Sequence, residues 1–130
     1  MAQTGRPLSP HLQVYKWQVQ MVTSILHRTA GIILAVGSLI IIWGLVALAA
    51  GQDAFATFTA CATSVLGTIV MIGWTLAFFY HLSNGIRHLV QDTGKGYAIE
   101  SFVRSSWLSI IAAIVLTVVV WAYVLMGAHA

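Results

Sequence analysis

The chain has 130 residues, of which 59% are hydrophobic and 7% charged, with a mean hydropathy of +0.90 and a formal net charge of +3. Six Lys and Arg, three acids and five His are too few to coat a water-exposed surface of this size, which excludes an ordinary soluble domain and makes lipid the solvent for most of one domain, 1–130. No dense basic patch is present to neutralise successive phosphates, so nucleic acid is excluded, and the single Cys61 excludes an intrachain disulfide.

The first segment, up to Arg28, carries Arg6, Lys16 and Arg28 together with Pro7, Pro10 and His11. It lacks the amphipathic, Arg-rich and Ser-rich character of a mitochondrial presequence, so the chain is expected to be mature or bacterial as it stands. Ala47-Leu48-Ala49 resembles a signal cleavage site. However, the uncharged run before it, starting at Thr29, is too long for a signal peptide and follows a long patterned segment.

Three apolar runs lie between Arg28 and Asp53, between Asp53 and Arg87, and after Arg104. Each exceeds the about 20 residues that cross a hydrocarbon core of about 30 Å. Nothing alternates like an outer-membrane barrel, so the fold class is all-α, with transmembrane helices expected over about 24–50, 60–88 and 105–127. Helix one carries Ala30, Gly37, Gly44 and Gly51 at intervals of seven, a smooth strip for close helix packing. The second uncharged stretch would be about 50 Å long as one helix and must overshoot the membrane. Its more polar start, with Thr57, Thr59, Thr63 and Ser64, belongs near an interface, leaving the apolar crossing at Val65 to Leu82. All six basic residues fall before helix one or in the region linking helices two and three. The positive-inside rule therefore predicts an N-in, C-out topology. Tyr15, Trp17 and Trp107 suit the inner aromatic belt, and Trp121 and Tyr123 the outer one.

Ionisable groups within or bordering apolar spans are functional candidates. Gly73, Ala77, His81 and Gly85 form one helical stripe, and His88 returns to that face seven residues on. Small residues above and below His81 would leave a flat slot for a porphyrin, with a ring nitrogen offered to iron; they would equally allow close helix packing without metal. His88 is excluded as a second axial ligand, since residues seven apart on one helix lie about 10 Å apart on the same side. At the entrance to helix one, Ser24 and Arg28 share a face. They can hydrogen-bond a quinone carbonyl and stabilise negative charge on it, or Arg28 can snorkel to headgroups while Ser24 bonds its own helix. His27 and Arg28 can also pair with haem propionates.

Three segments together resemble the cytochrome b556 subunits of succinate dehydrogenase: Arg6-Pro7-Leu8-Ser9-Pro10-His11-Leu12, Ser24 to Gly31, and His81-Leu82-Ser83-Asn84-Gly85-Ile86-Arg87-His88-Leu89-Val90-Gln91-Asp92. Their order and their placement against three apolar spans agree, so the resemblance covers essentially the whole chain. It implies that His81 is an axial ligand of one haem b shared with a small membrane anchor subunit, which supplies the other ligand. The three helices would then be half of a helical bundle. It further implies ubiquinone as substrate at Ser24 and Arg28, and His27, Arg28 and His88 near the propionates. Asp92 has a local electrostatic role at the inner surface. The expected partners also include a flavoprotein, an iron-sulfur protein and the lipid bilayer, in a bacterial cytoplasmic membrane rather than a mitochondrial inner one. Nothing in the chain resembles a succinate-oxidising site, a dinucleotide fingerprint or an iron-sulfur cysteine set. The alternatives are a quinol:fumarate reductase anchor and a structural or assembly membrane protein without haem.

Overall fold

The computed structural model describes residues 16–127, in four helices: α1 (Val19–Ala50), α2 (Gln52–Ala62), α3 (Val65–Asp92) and α4 (Ile99–Gly127). The Arg6-to-Leu12 segment, Tyr15 and His129 lie outside the described residues. Of the four helices, α1, α3 and α4 are long and apolar enough to cross a membrane, and the chain is accordingly a helical membrane protein.

Each boundary has a local cause. Gly51, at φ 119°, occupies backbone space that L side chains rarely adopt, and it ends α1. The short α2 then begins with Asp53 in its first turn, where a negative charge suits the helix dipole. At Ser64 the backbone turns extended, and the Ser64 hydroxyl accepts a 3.1 Å hydrogen bond from the Gly67 N–H, capping α3. Gly67 is required by this turn, because a Cβ there would fall on the carbonyl groups of Cys61 and Ala62. The α3–α4 connection passes through Gly94 and Gly96, both at positive φ.

These boundaries differ from those expected. Helix α1 starts at Val19 and α4 at Ile99, earlier than about 24 and 105, and α3 continues to Asp92 rather than 88. In the sequence, charged residues mark the ends of the apolar runs. In the structure Arg28, Arg87 and Arg104 are all helical, since a helix continues past the depth at which its side chains become charged. The span expected over 60–88 is interrupted at Thr63 and Ser64, so its first residues belong to α2.

The helices α1, α3 and α4 pack mutually, with α3 between the other two most extensively covered. Their shared centre is small: Ala30, Ala77, Tyr80 and Ala113 are buried, with Leu34, Phe79 and Ile110 against them. Small residues suit this position because apolar burial gives no driving force between helices in lipid, and close backbone approach gains dispersion contact instead. The seven-residue strip of α1 works this way at three of its four positions. Ala30 is in the core, Gly37 lies under Trp74 and Gly44 under Phe58, whereas Gly51 is the turn. Most large apolar side chains point outward, including Ile32, Leu39, Val118 and Val119.

A Cβ on Gly37 would fall within the Trp74 indole ring. Gly37→Ala is expected to force the two helices apart at a cost of about 1–3 kcal/mol, the range for overpacking. A thermal melt of the detergent-solubilised protein would show a lowered midpoint, and an unchanged midpoint would contradict this packing.

Candidate functional site

At the end of the bundle that carries Arg28, Arg87, Lys95 and Arg104, the basic end, α1 and α3 bring three histidines together. The rings of His27 and His81 stack at 4.0 Å between centroids with an interplanar angle of 11°, and His88 is tilted against His27 at 5.3 Å. His81 Nδ1 lies 3.1 Å from the backbone oxygen of His27. A carbonyl can only accept, so Nδ1 carries the proton and donates, which leaves Nε2 of His81 as the free lone pair. Backbone-fixed tautomers of this kind orient metal-ligating imidazoles in general. Gly31 makes room for it, since a Cβ there would sit 3.1 Å from His81 Cε1.

His27 Nδ1 is buried and has no partner among the described residues. A donor or acceptor left this way normally has a ligand, ion or water opposite it. Together with the Nε2 lone pair of His81, it gives a donor set whose chemistry would fit an iron porphyrin carrying carboxylates.

The stripe Gly73, Ala77, His81 and Gly85 is divided by the tertiary packing. Ala77 is part of the core, and Gly85 faces His27, 3.8 Å from where its Cβ would be. Gly73 has open space beside it and, with Ala77, Leu26, Thr29 and Ile33, lines an apolar cavity of about 320 Å³ that His81 does not border. One continuous slot above and below His81 is therefore not what the small residues form within this chain.

Ser24 is half-buried and Arg28 exposed on α1, and neither has a hydrogen-bond or ion-pair partner among the described residues. Asp92, the last residue of α3, is likewise exposed. All lie at the basic end with the histidines.

Interior hydrogen bonds also involve Asn84 and Tyr80, residues with no expected role. Asn84 is fully buried (0% exposed). Arg87 Nε donates to Asn84 Oδ1 at 2.9 Å, which fixes the amide orientation, so that Asn84 Nδ2 donates to His88 Nε2 at 3.3 Å. Asn84 thus ties Arg87 and His88, three and four residues on, into one rigid unit. Tyr80 donates to the backbone oxygen of Thr23 at 2.7 Å, joining α3 to α1 one turn before Ser24's helix reaches the histidines. The available signal was the spacing of Asn84 from Arg87 and His88, three and four residues on, which lets one side chain reach both.

Fold and site together define a class: a polytopic helical membrane protein with an imidazole cluster and free cations at one end of its bundle. Residues 2–121 match the family described as succinate dehydrogenase/fumarate reductase transmembrane subunit, and the chain belongs to that family. The chain is 43% identical over 114 residues to the succinate dehydrogenase cytochrome b556 subunit of Paracoccus denitrificans, covering 88% of each chain. It is 37% identical over 116 residues to the protein of that name from Rickettsia felis, covering 89% of this chain and 90% of the relative. The mitochondrial succinate dehydrogenase cytochrome b560 subunit of Mus musculus is 40% identical over 119 residues, covering 88% of this chain and 67% of the relative.

Two substitutions rank the interior contacts. Tyr80→Phe is expected to cost about 1 kcal/mol, one ordinary hydrogen bond, and Asn84→Leu about 1.5–3 kcal/mol because a guanidinium loses its acceptor. Denaturant titration in mixed micelles reads both, and the reverse order would contradict the Asn84 bridge.

Proposed function

We propose that this chain is the cytochrome b membrane anchor of a succinate:quinone oxidoreductase, holding one haem b and forming part of the ubiquinone reduction site. The observation that carries this reading is the His27–His81 pair. One imidazole is fixed through Nδ1 so that Nε2 is free, and the other keeps a buried Nδ1 in need of a partner.

In this reading His81 would supply one nitrogen ligand to the haem, and His27, Arg28 and His88 would hold its acidic groups. The haem, when bound, supplies a one-electron redox centre within the membrane. The His27 carbonyl holds the His81 ring at a set rotation and raises its basicity by accepting the Nδ1 proton. The stacked His27 ring covers one face of His81 and keeps solvent from that side. The second ligand comes from a small partner membrane subunit, which would complete the half-bundle against the apolar surface left exposed here. A flavoprotein and an iron-sulfur protein would perform the succinate oxidation for which this chain has no residues.

Ser24 and Arg28 serve the quinone. The hydroxyl can donate to one carbonyl oxygen, while the guanidinium, without a partner in this chain, opposes the negative charge that builds on the ring as electrons arrive. Quinone reduction takes two electrons and two protons, so the pocket belongs near a proton-supplying aqueous face. With the basic end inside, as the distribution of Lys and Arg favours, that face is the cytoplasm of a bacterium. Asp92, exposed at the same end, contributes negative charge at that surface. The relatives described above carry succinate dehydrogenase names, which favours this direction over fumarate reduction.

In the intact purified complex, His81→Ala is expected to abolish the b-type band in a reduced-minus-oxidised spectrum. A wild-type complex without that band, or a variant with the band unchanged, would overturn the ligand assignment. Ser24→Ala and Arg28→Ala are expected to lower quinone reduction by roughly a hundredfold, the scale of losing one donor to a developing oxyanion. Succinate oxidation with an artificial dye should persist. Equal loss of both activities would mean failed assembly and would remove the quinone-site assignment.

A further inference from the structure

A groove of about 380 Å³, which none of the three histidines lines, runs between α3 and α4 at the basic end. Its polar part is lined by Arg87, Gln91, Lys95, Ser101 and Ser105. Arg87 and Gln91 are each only 7% exposed, and each has a buried donor without a partner, Nη1 of Arg87 and Nε2 of Gln91. Buried donors of this kind are rare unless an acceptor belongs opposite them, and an unmatched buried guanidinium nitrogen is the costlier of the two.

The Arg87 side chain is held for this purpose from two directions. Its Nε donates to Asn84 at 2.9 Å, and its guanidinium lies over the Phe102 ring at 5.0 Å from the centroid. Those contacts spend one N–H and one face, and leave Nη1 without an acceptor. No Asp or Glu lines the groove, so neither the Arg87 charge nor that of Lys95 is neutralised within it. The missing acceptor is therefore an anion with several oxygens, which is the chemistry of a phosphate group.

The shape distinguishes between sources of phosphate. From Gln91 the groove continues along α3 to Ile86 and Ser83, and along α4 to Leu108 and Ala112. Gln91 and Ser83 are about 12 Å apart along a helix axis. A free phosphate needs only the polar end. A phospholipid would use both, its headgroup on Arg87, Gln91 and Lys95 and the start of an acyl chain along Ile86 and Leu108, while the helices stand in the bilayer that supplies it.

We propose that the α3–α4 groove is a binding site for the phosphate of an anionic phospholipid, separate from the histidine cluster. Asn84 then has a second consequence: one amide positions Arg87 for the lipid and His88 for the histidine cluster.

The test uses the intact complex, delipidated in neutral detergent, and short-chain phosphatidylglycerol, short-chain phosphatidylcholine and inorganic phosphate as separate probes. Native mass spectrometry and thermal melts read retention. The wild type is expected to retain phosphatidylglycerol at least tenfold more tightly than phosphatidylcholine. The double variant Gln91→Leu, Lys95→Gln should lose that preference. It is chosen over Arg87 variants because Leu relieves an unsatisfied buried amide, so the lipid-free melting temperature should hold or rise. Equal retention of the two lipids, unchanged preference in the variant, or equal protection by inorganic phosphate would each overturn the proposal. So would a carbodiimide crosslink from Lys95 to a carboxylate of another subunit in a complex that retains no lipid, because the groove would then hold protein.

Discussion

The approach of α1 to α3 at His27 and His81 is the contact on which the basic end depends. A helix backbone in lipid has satisfied its own hydrogen bonds, so an imidazole from a neighbouring helix can use a carbonyl only by sharing its oxygen at close range. Gly31 permits that range, and Tyr80 holds the same two helices together through the Thr23 carbonyl. With both in place, His81 has one tautomer and one ring orientation, His27 is stacked on it, and His88 meets His27 from the next turns of α3.

The remaining polar side chains of the spans divide into two sets by how they satisfy themselves. Thr29, Ser38, Thr75, Ser106, Ser109 and Thr117 all return their hydroxyl proton to a carbonyl three or four residues back. Such groups are neutralised locally and can sit at any depth. His27, Arg87 and Gln91 keep buried nitrogens without partners among the described residues, as do the indoles of Trp74 and Trp121 deeper in the spans. The first three stand at the basic end, where a cofactor, substrate or lipid headgroup can meet them.

Asn84 joins the two faces of α3. A carbonyl oxygen and an amide nitrogen on one short side chain bind Arg87 on the groove side and His88 on the histidine side. The histidine cluster and the proposed lipid site thereby meet at a residue that is fully buried.

Sequence alone determined the membrane class, the number of spans, the clustering of cations at one end and the residues from which a redox site could be built. These follow from hydropathy, charge position and helical spacing, which are properties of the linear chain. Only the tertiary structure decided what those residues meet. The stripe through His81 was legible as small residues, but whether Gly73, Ala77 and Gly85 form one slot depends on which helix covers each of them. They divide between a cavity, the core and the His27 ring. Arg87 was legible as a cation at the end of a span, while its burial, its bond to Asn84 and its place over Phe102 required α4 to be set beside α3. Helical period assigns a residue to a face. Which partner that face receives is set by the packing of separate helices, and no local pattern encodes it.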